Sequence, residues 1–117
     1  MTAKIPKQPE LDEETAKKIQ ELQILEQSLQ NLMLQKQAFQ IELSETLNAL
    51  SELSETKEEV YKIVGSVMLR AKKDQLIKDL EHKKGLIDLR IKNIEKQEDM
   101  LREKSLNLRD SIIGKLK

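Results

Sequence analysis

The sequence has no cysteine and no tryptophan, three glycines, two prolines, and only Tyr61 and Phe39 as aromatics among its 117 residues. Each shortage excludes something. Without cysteine there is no disulfide framework and no thiolate zinc site. With two aromatic rings the chain lacks the large side chains on which compact cores lean for buried area. No stretch approaches the roughly 20 apolar residues of a membrane-spanning helix. The lysine-bearing N-terminus, Met1 to Lys7, has no apolar segment behind it of the kind a secretory signal needs, so a cytoplasmic location is expected and no membrane partner. Nor is one sign of charge in excess. Twenty-one basic residues face 21 acidic ones, whereas a protein that holds a phosphate backbone usually carries a basic surplus. Nucleic acid is therefore not an expected partner.

What the chain does have is Leu, Ile, Lys, Glu and Gln, with charged residues at 36%. That mixture marks long helices. Residues 1–10 carry both prolines, Pro6 and Pro9, and read as a flexible arm. Asp12, Glu13 and Glu14 then suit the positive end of a helix, expected over 11–54. Within it a heptad places a at Leu22, Leu29, Lys36, Leu43 and Leu50, and d at Leu25, Leu32, Phe39, Thr46 and Leu53. Sustained a/d spacing of this kind predicts a coiled coil. Lys36 interrupts the seam, either by packing its aliphatic stem and snorkelling its amine outward, or as a polar device that fixes register.

Residues 55–73 break this period. Val60 to Ala71 is the densest cluster of β-branched residues in the chain. Tyr61, Ile63, Val67, Leu69 and Ala71 share one numerical parity, the period of a strand, and Gly65-Ser66 offers a tight turn. Two short strands in a hairpin are expected. The alternative is a short helical connector, because Val64 and Met68 blur the alternation. The hairpin looks apolar on both faces, with Val64 and Met68 expected opposite Ile63 and Leu69. A lone hairpin is marginal in water and has open edges, so oligomerisation through Val60, Tyr61, Ile63, Val64, Val67, Met68 and Leu69 is expected.

A second helix is expected over 74–117, with Asp74 as its cap. One lane, Leu80, Ile87, Ile94, Leu101 and Leu108, is apolar throughout. Its companion, Ile77, Lys84, Ile91, Glu98, Ser105 and Ile112, is mixed. Gly85 falls on the outer face, and Gly114 near a fraying end. Two helices of about 40 residues, at 1.5 Å per residue, make rods of about 60 Å that pack antiparallel. The expected fold is therefore mainly α: a long antiparallel two-helix coiled coil joined by one short β-hairpin. Both chain ends then meet at one tip. There Leu11, Ile19, Leu22, Leu106, Leu108, Ile112, Ile113 and Leu116 either finish the seam or, as the ends fray, form an apolar surface for unfolded polypeptide.

Catalysis needs positioned groups in a sheltered pocket, and little here supplies them. His82 falls on the outer face of the second helix beside Glu81 and Lys83 and reads as solvated. Glu55, Glu58 and Glu59 could hold a cation but read as a solvated run, and no glycine-rich phosphate loop is present. No catalytic residue, metal or cofactor is expected. A tethering coiled coil is the alternative; an RNA-gripping arm would need a basic face with fewer acids interleaved.

Three segments in order carry a family likeness. Gln30-Asn31-Leu32-Met33-Leu34-Gln35-Lys36-Gln37 is similar to the glutamine-rich helix of archaeal prefoldin β-type subunits. Val60-Tyr61-Lys62-Ile63-Val64-Gly65 resembles the opening of their hairpin. Lys73-Asp74 and Leu89 to Glu98 resemble the start and middle of their second helix. One hairpin, not two, is the β-type pattern. The resemblance implies a hexamer of two α-type and four β-type subunits, whose hairpins join into a β-barrel platform. It also implies coiled-coil tips that hold unfolded polypeptides without nucleotide and pass them to a group II chaperonin. The lysine-rich, proline-containing N-terminus departs from that pattern.

Overall fold

The computed structural model describes residues 12–116. Two long helices flank a two-stranded sheet: α1 (Glu13–Glu55), β1 (Val60–Val64), β2 (Val67–Ala71) and α2 (Lys73–Leu116). Every element type expected from the periodicity is present, and the hairpin reading prevails over the helical connector.

Local chemistry fixes the element ends. Asp12 caps α1: its carboxylate Oδ1 accepts from the Thr15 backbone N–H at 2.7 Å, and its carbonyl accepts the first helical bond from Ala16 at 3.0 Å. Glu13 and Glu14 add negative charge to the positive end of the helix dipole. At the other end, the last turn of α1 holds no basic residue. The Thr56 hydroxyl donates to the Glu52 carbonyl at 2.7 Å, and Lys73, the first residue of α2, donates its ammonium to the Thr56 carbonyl at 2.8 Å. The cation that complements the end of α1 thus comes from across the hairpin. Asp74 is not the cap of α2. The Lys72 carbonyl accepts the first bond of that helix from Leu76 at 2.9 Å, so Asp74 lies in the first turn and acts on the dipole instead.

The chain divides into two compact units. Unit 1 pairs the first part of α1 with the part of α2 from Lys96 onward. Its seam holds Thr15, Glu98, Ser105 and Ile112 buried, and Leu22, Leu25, Leu29, Leu32, Leu101 and Leu108 half-buried. Unit 2, Leu34–Glu95, holds the rest of both helices and the hairpin. Thr46, Leu53, Ile87 and Ile94 are its buried seam residues; Lys36, Phe39, Leu43, Leu50, Ile77, Leu80, Lys84 and Ile91 are half-buried. Both lanes of α2 therefore face α1, the mixed one included. In unit 2 the Arg90 guanidinium lies over the Phe39 ring, 5.6 Å from its centroid, and Lys83 pairs with Glu42 at 3.3 Å.

The sheet is a single antiparallel pair in the register Val60 with Ala71, Tyr61 with Arg70, Lys62 with Leu69, Ile63 with Met68, and Val64 with Val67. Gly65 has φ +62°, and no other described residue has a positive φ. Left-handed glycine first and an ordinary residue second is the type II′ turn, which matches strand twist. This two-residue turn corrects the expected faces. A side chain shares its face with its cross-strand partner, and a two-residue loop pairs odd positions with even ones. Numerical parity therefore switches face at the turn. Tyr61 and Ile63 lie with Met68 and Arg70; Val60, Lys62 and Val64 lie with Val67, Leu69 and Ala71. Met68 is beside Ile63, not opposite it.

Candidate functional site

Two surfaces stand out, one in each unit. In unit 2 it is the hairpin. Tyr61, Ile63, Val64, Val67, Met68 and Leu69 are all exposed, Ile63 at 70%, and only Val60 and Ala71 are half-buried. Each face carries apolar side chains, so neither is satisfied by solvent alone. On the face of Tyr61 and Ile63, Glu59 makes a polar border: its Oε2 accepts from the Tyr61 hydroxyl at 3.1 Å and pairs with Arg70 at 3.0 Å. Where the hairpin meets the helices, Val60, Tyr61 and Lys62 border a cleft of about 390 Å³ lined also by Ala49, Leu53, Leu76 and Leu80. Lys62 also borders a smaller opening of about 200 Å³ with Leu76 and Asp79. Both clefts are open and partly apolar.

In unit 1 the second surface is the end where α1 begins and α2 finishes. Here the sequence-predicted residues separate. Ile112 is buried at 8%; Ile19, Leu22 and Leu108 are half-buried in or beside the seam. Leu106, Ile113 and Leu116 are exposed on α2. Leu11 lies outside the described residues. Periodicity separates seam from surface at these positions, because Ile112 and Leu108 continue the two inward lanes while Leu106 and Ile113 fall off them.

Ion pairs border this end. Lys115 Nζ lies 3.0 Å from Asp12 Oδ2 and 3.4 Å from Glu14 Oε2. Lys18 donates to the Ser111 hydroxyl at 2.6 Å and pairs with Glu14 at 3.7 Å. Arg109 pairs with Glu26 at 2.6 Å. Hydrogen bonds from Thr15, and then from Lys115, hold the Asp12 carboxyl well below the usual carboxylate range. Asp12 and Glu14 in turn raise the Lys115 ammonium above its ordinary value. Sequence reasoning did not find this network, since with acids and bases spread along both helices many pairings are equally open. Its only sequence signal is the acidic start of one helix meeting the lysine in the last turn of the other.

His82 is exposed on α2, and among the described residues no group of three or more His, Asp or Glu side chains could hold a metal ion. No described helix is long and apolar enough to cross a membrane.

The sequence model of the family described as "Prefoldin subunit" matches residues 16–117. The prefoldin subunit beta of Caldivirga maquilingensis is 38% identical over 93 residues, covering 78% of this chain and 77% of that protein. That of Archaeoglobus fulgidus is 37% identical over 97 residues, covering 81% and 84%. The crystal structure of the prefoldin beta subunit from Thermococcus strain KS-1 superposes with a TM-score of 0.87 at 29% identity, covering 94% of this chain and 98% of that one. With the family match spanning both helices and the hairpin between them, this chain belongs to the prefoldin subunit family.

Proposed function

We propose that the chain is a subunit of an ATP-independent holdase, which binds non-native polypeptides at the end of its helix pair and passes them to a group II chaperonin. The observation that carries this reading is a pair of apolar surfaces in a chain of the prefoldin family, one on an exposed hairpin and one where α1 begins and α2 ends. The hairpin is the assembly element. Val60, Tyr61, Ile63, Val64, Val67, Met68 and Leu69 meet strands of an α-type partner and of further copies of this chain, in a hexamer of two α and four β subunits working in the cytoplasm.

Leu106, Ile113 and Leu116 are the first contacts for a client. Ile19, Leu22, Leu108 and Ile112 join them when the end frays, and Leu11, outside the described residues, is assigned to the same client surface from the sequence alone. Each apolar side chain fully buried against a client contributes roughly 1.5–3 kcal/mol, much of it offset by ordering. Several subunits on one platform restore affinity through effective concentration. No catalytic group or nucleotide takes part. A plain tethering coiled coil has no use for exposed Leu106, Ile113 and Leu116.

The test is light scattering of a chemically denatured substrate diluted into nucleotide-free buffer, with this chain assembled on an archaeal α-type partner. Suppression near one complex per substrate, lost on removal of residues 1–18 and 109–117, is the expected result. A formed complex that suppresses nothing overturns the reading.

A further inference from the structure

On the outer side of α1 no exposed residue from Gln27 to Ser44 carries a charge, a stretch that begins in unit 1 and continues into unit 2. In unit 2, from 34 to 44, the exposed residues are Leu34, Gln35, Gln37, Ala38, Gln40, Ile41 and Ser44. Across the same unit, the exposed residues of α2 include Glu81, Lys83, Arg90, Lys92 and Glu95. A solvated coiled-coil shaft has no need of such asymmetry, because charge on the outer face is the ordinary means of keeping a helix soluble. Here two large apolar side chains stand one heptad apart on the neutral face, Leu34 at 59% and Ile41 at 62% exposure. Gln37, Gln40, Ile41 and Ser44 line a shallow groove of about 290 Å³ between successive turns.

The geometry points to a second client-contact surface on this face, which takes extended, uncharged segments of non-native polypeptide. The chemistry fits that occupant. Leu34 and Ile41 meet apolar side chains. The Gln37 and Gln40 amides each offer a donor pair and an acceptor, and Ser44 a hydroxyl, so all three bond peptide backbone whatever the sequence. A charged segment gains no partner here and loses hydration. A second copy of this chain is a poor occupant. Two large apolar side chains expose far less than the roughly 1,200 Å² that a stable protein pair buries, whereas weak contact repeated across subunits suffices for a client.

This inference rests on the holdase reading, and the experiment separates the two. A photo-crosslinking amino acid is placed singly at Gln37, at Ile113 and, as control, at Lys92, in the complex with the α-type partner. Denatured substrate is then added. Crosslinks from positions 37 and 113 but not 92 are expected. Ile41→Glu is expected to weaken capture roughly tenfold, the effect of one well-buried side chain, at unchanged native mass. Leu89→Glu, on the exposed outer side of α2, is expected to leave capture unchanged. Crosslinks from 113 alone, crosslinks from 37 to another subunit, or equal losses in the two glutamate variants overturn the second surface and leave the holdase reading standing. No client crosslink from either 37 or 113 overturns both.

Discussion

Lys115 Nζ lies 3.0 Å from Asp12 Oδ2, so the last turn of α2 is tied to the residue that caps α1. One carboxylate serves both purposes: Oδ1 takes the Thr15 backbone N–H and Oδ2 takes the lysine. Truncation of the Asp12 side chain would therefore remove cap and clasp together. Asp12→Asn keeps a capping oxygen but removes the ion pair, and Lys115→Ala removes the pair alone. Either substitution is expected to speed amide exchange several-fold over residues 108–116 and leave unit 2 unchanged. The pair is exposed, so salt screens it, and high ionic strength should reproduce the substitutions. The pH dependence follows from the two shifts. Asp12 is depressed in the folded chain, so its contribution is complete above its unfolded value of 3.8 and disappears as pH falls through the lower folded value. Lys115 is raised, so its contribution is complete below 10.5 and disappears as pH rises through the higher folded value. Exchange corrected for its intrinsic pH dependence should be flat between those limits. A change near neutrality would point to another group.

Ile63 and Leu69 project from opposite faces of the hairpin, which turns assembly into a two-sided test. If strands from partners cover both faces, Ile63→Glu and Leu69→Glu each bury an unpaired carboxylate and each should abolish assembly with other subunits, with most of the far-ultraviolet helical signal retained. Burial of an unpaired charge costs several kcal/mol, more than one strand contact restores. Native mass spectrometry reads the outcome. Assembly lost in one variant and kept in the other would mean that only one face is covered; assembly kept in both would remove the hairpin from the interface.

The seam was legible in the sequence because burial in a helix pair follows a single period. The lanes through Leu22 and Leu25 on α1 and through Ile77 and Leu80 on α2 are inward along their described length, and they carry Thr46, Glu98 and Ser105 inward despite their polarity. The faces of the hairpin were not legible by parity, because the turn length sets whether parity is kept or switched. The cap of α2 was misplaced for a related reason. Asp74 is an acceptable capping residue, but the carbonyl that accepts the first helical bond belongs to Lys72, which has no capping side chain to announce it. Ion pairs such as Glu26 with Arg109 depend on which of many charged side chains come level, a matter of helix offset that composition does not carry.

Ser105 follows the seam at a cost. It is buried at 7%, and its Oγ has no hydrogen-bond partner. A buried hydroxyl without a partner is destabilising by about 1–3 kcal/mol, and serine is also a weaker helix former than alanine. Ser105→Ala is expected to stabilise the chain by about 1 kcal/mol, seen as a higher urea midpoint at unchanged slope. A lower midpoint would mean that the hydroxyl is satisfied in solution.

Gly65 and Gly85 give the sharpest contrast, because the same substitution should act with opposite sign. At neither position does an added Cβ meet any atom within 4 Å, so packing cannot separate them. Backbone conformation can. Gly85 lies in the helical interior of α2, where alanine is favoured by roughly 1 kcal/mol through the restricted unfolded chain and better helix propensity. Gly65 sits at φ +62°, where a Cβ crowds the following carbonyl and costs roughly 1–2 kcal/mol. Gly85→Ala should therefore raise the thermal midpoint. Gly65→Ala should weaken the turn that sets the register of Ile63 against Met68 and lower the stability of the assembled complex. Because Gly65 acts on the hairpin alone, that loss should appear in the dissociation of subunits before it appears in helix melting. Loss of helix first would mean that the turn also anchors the helices.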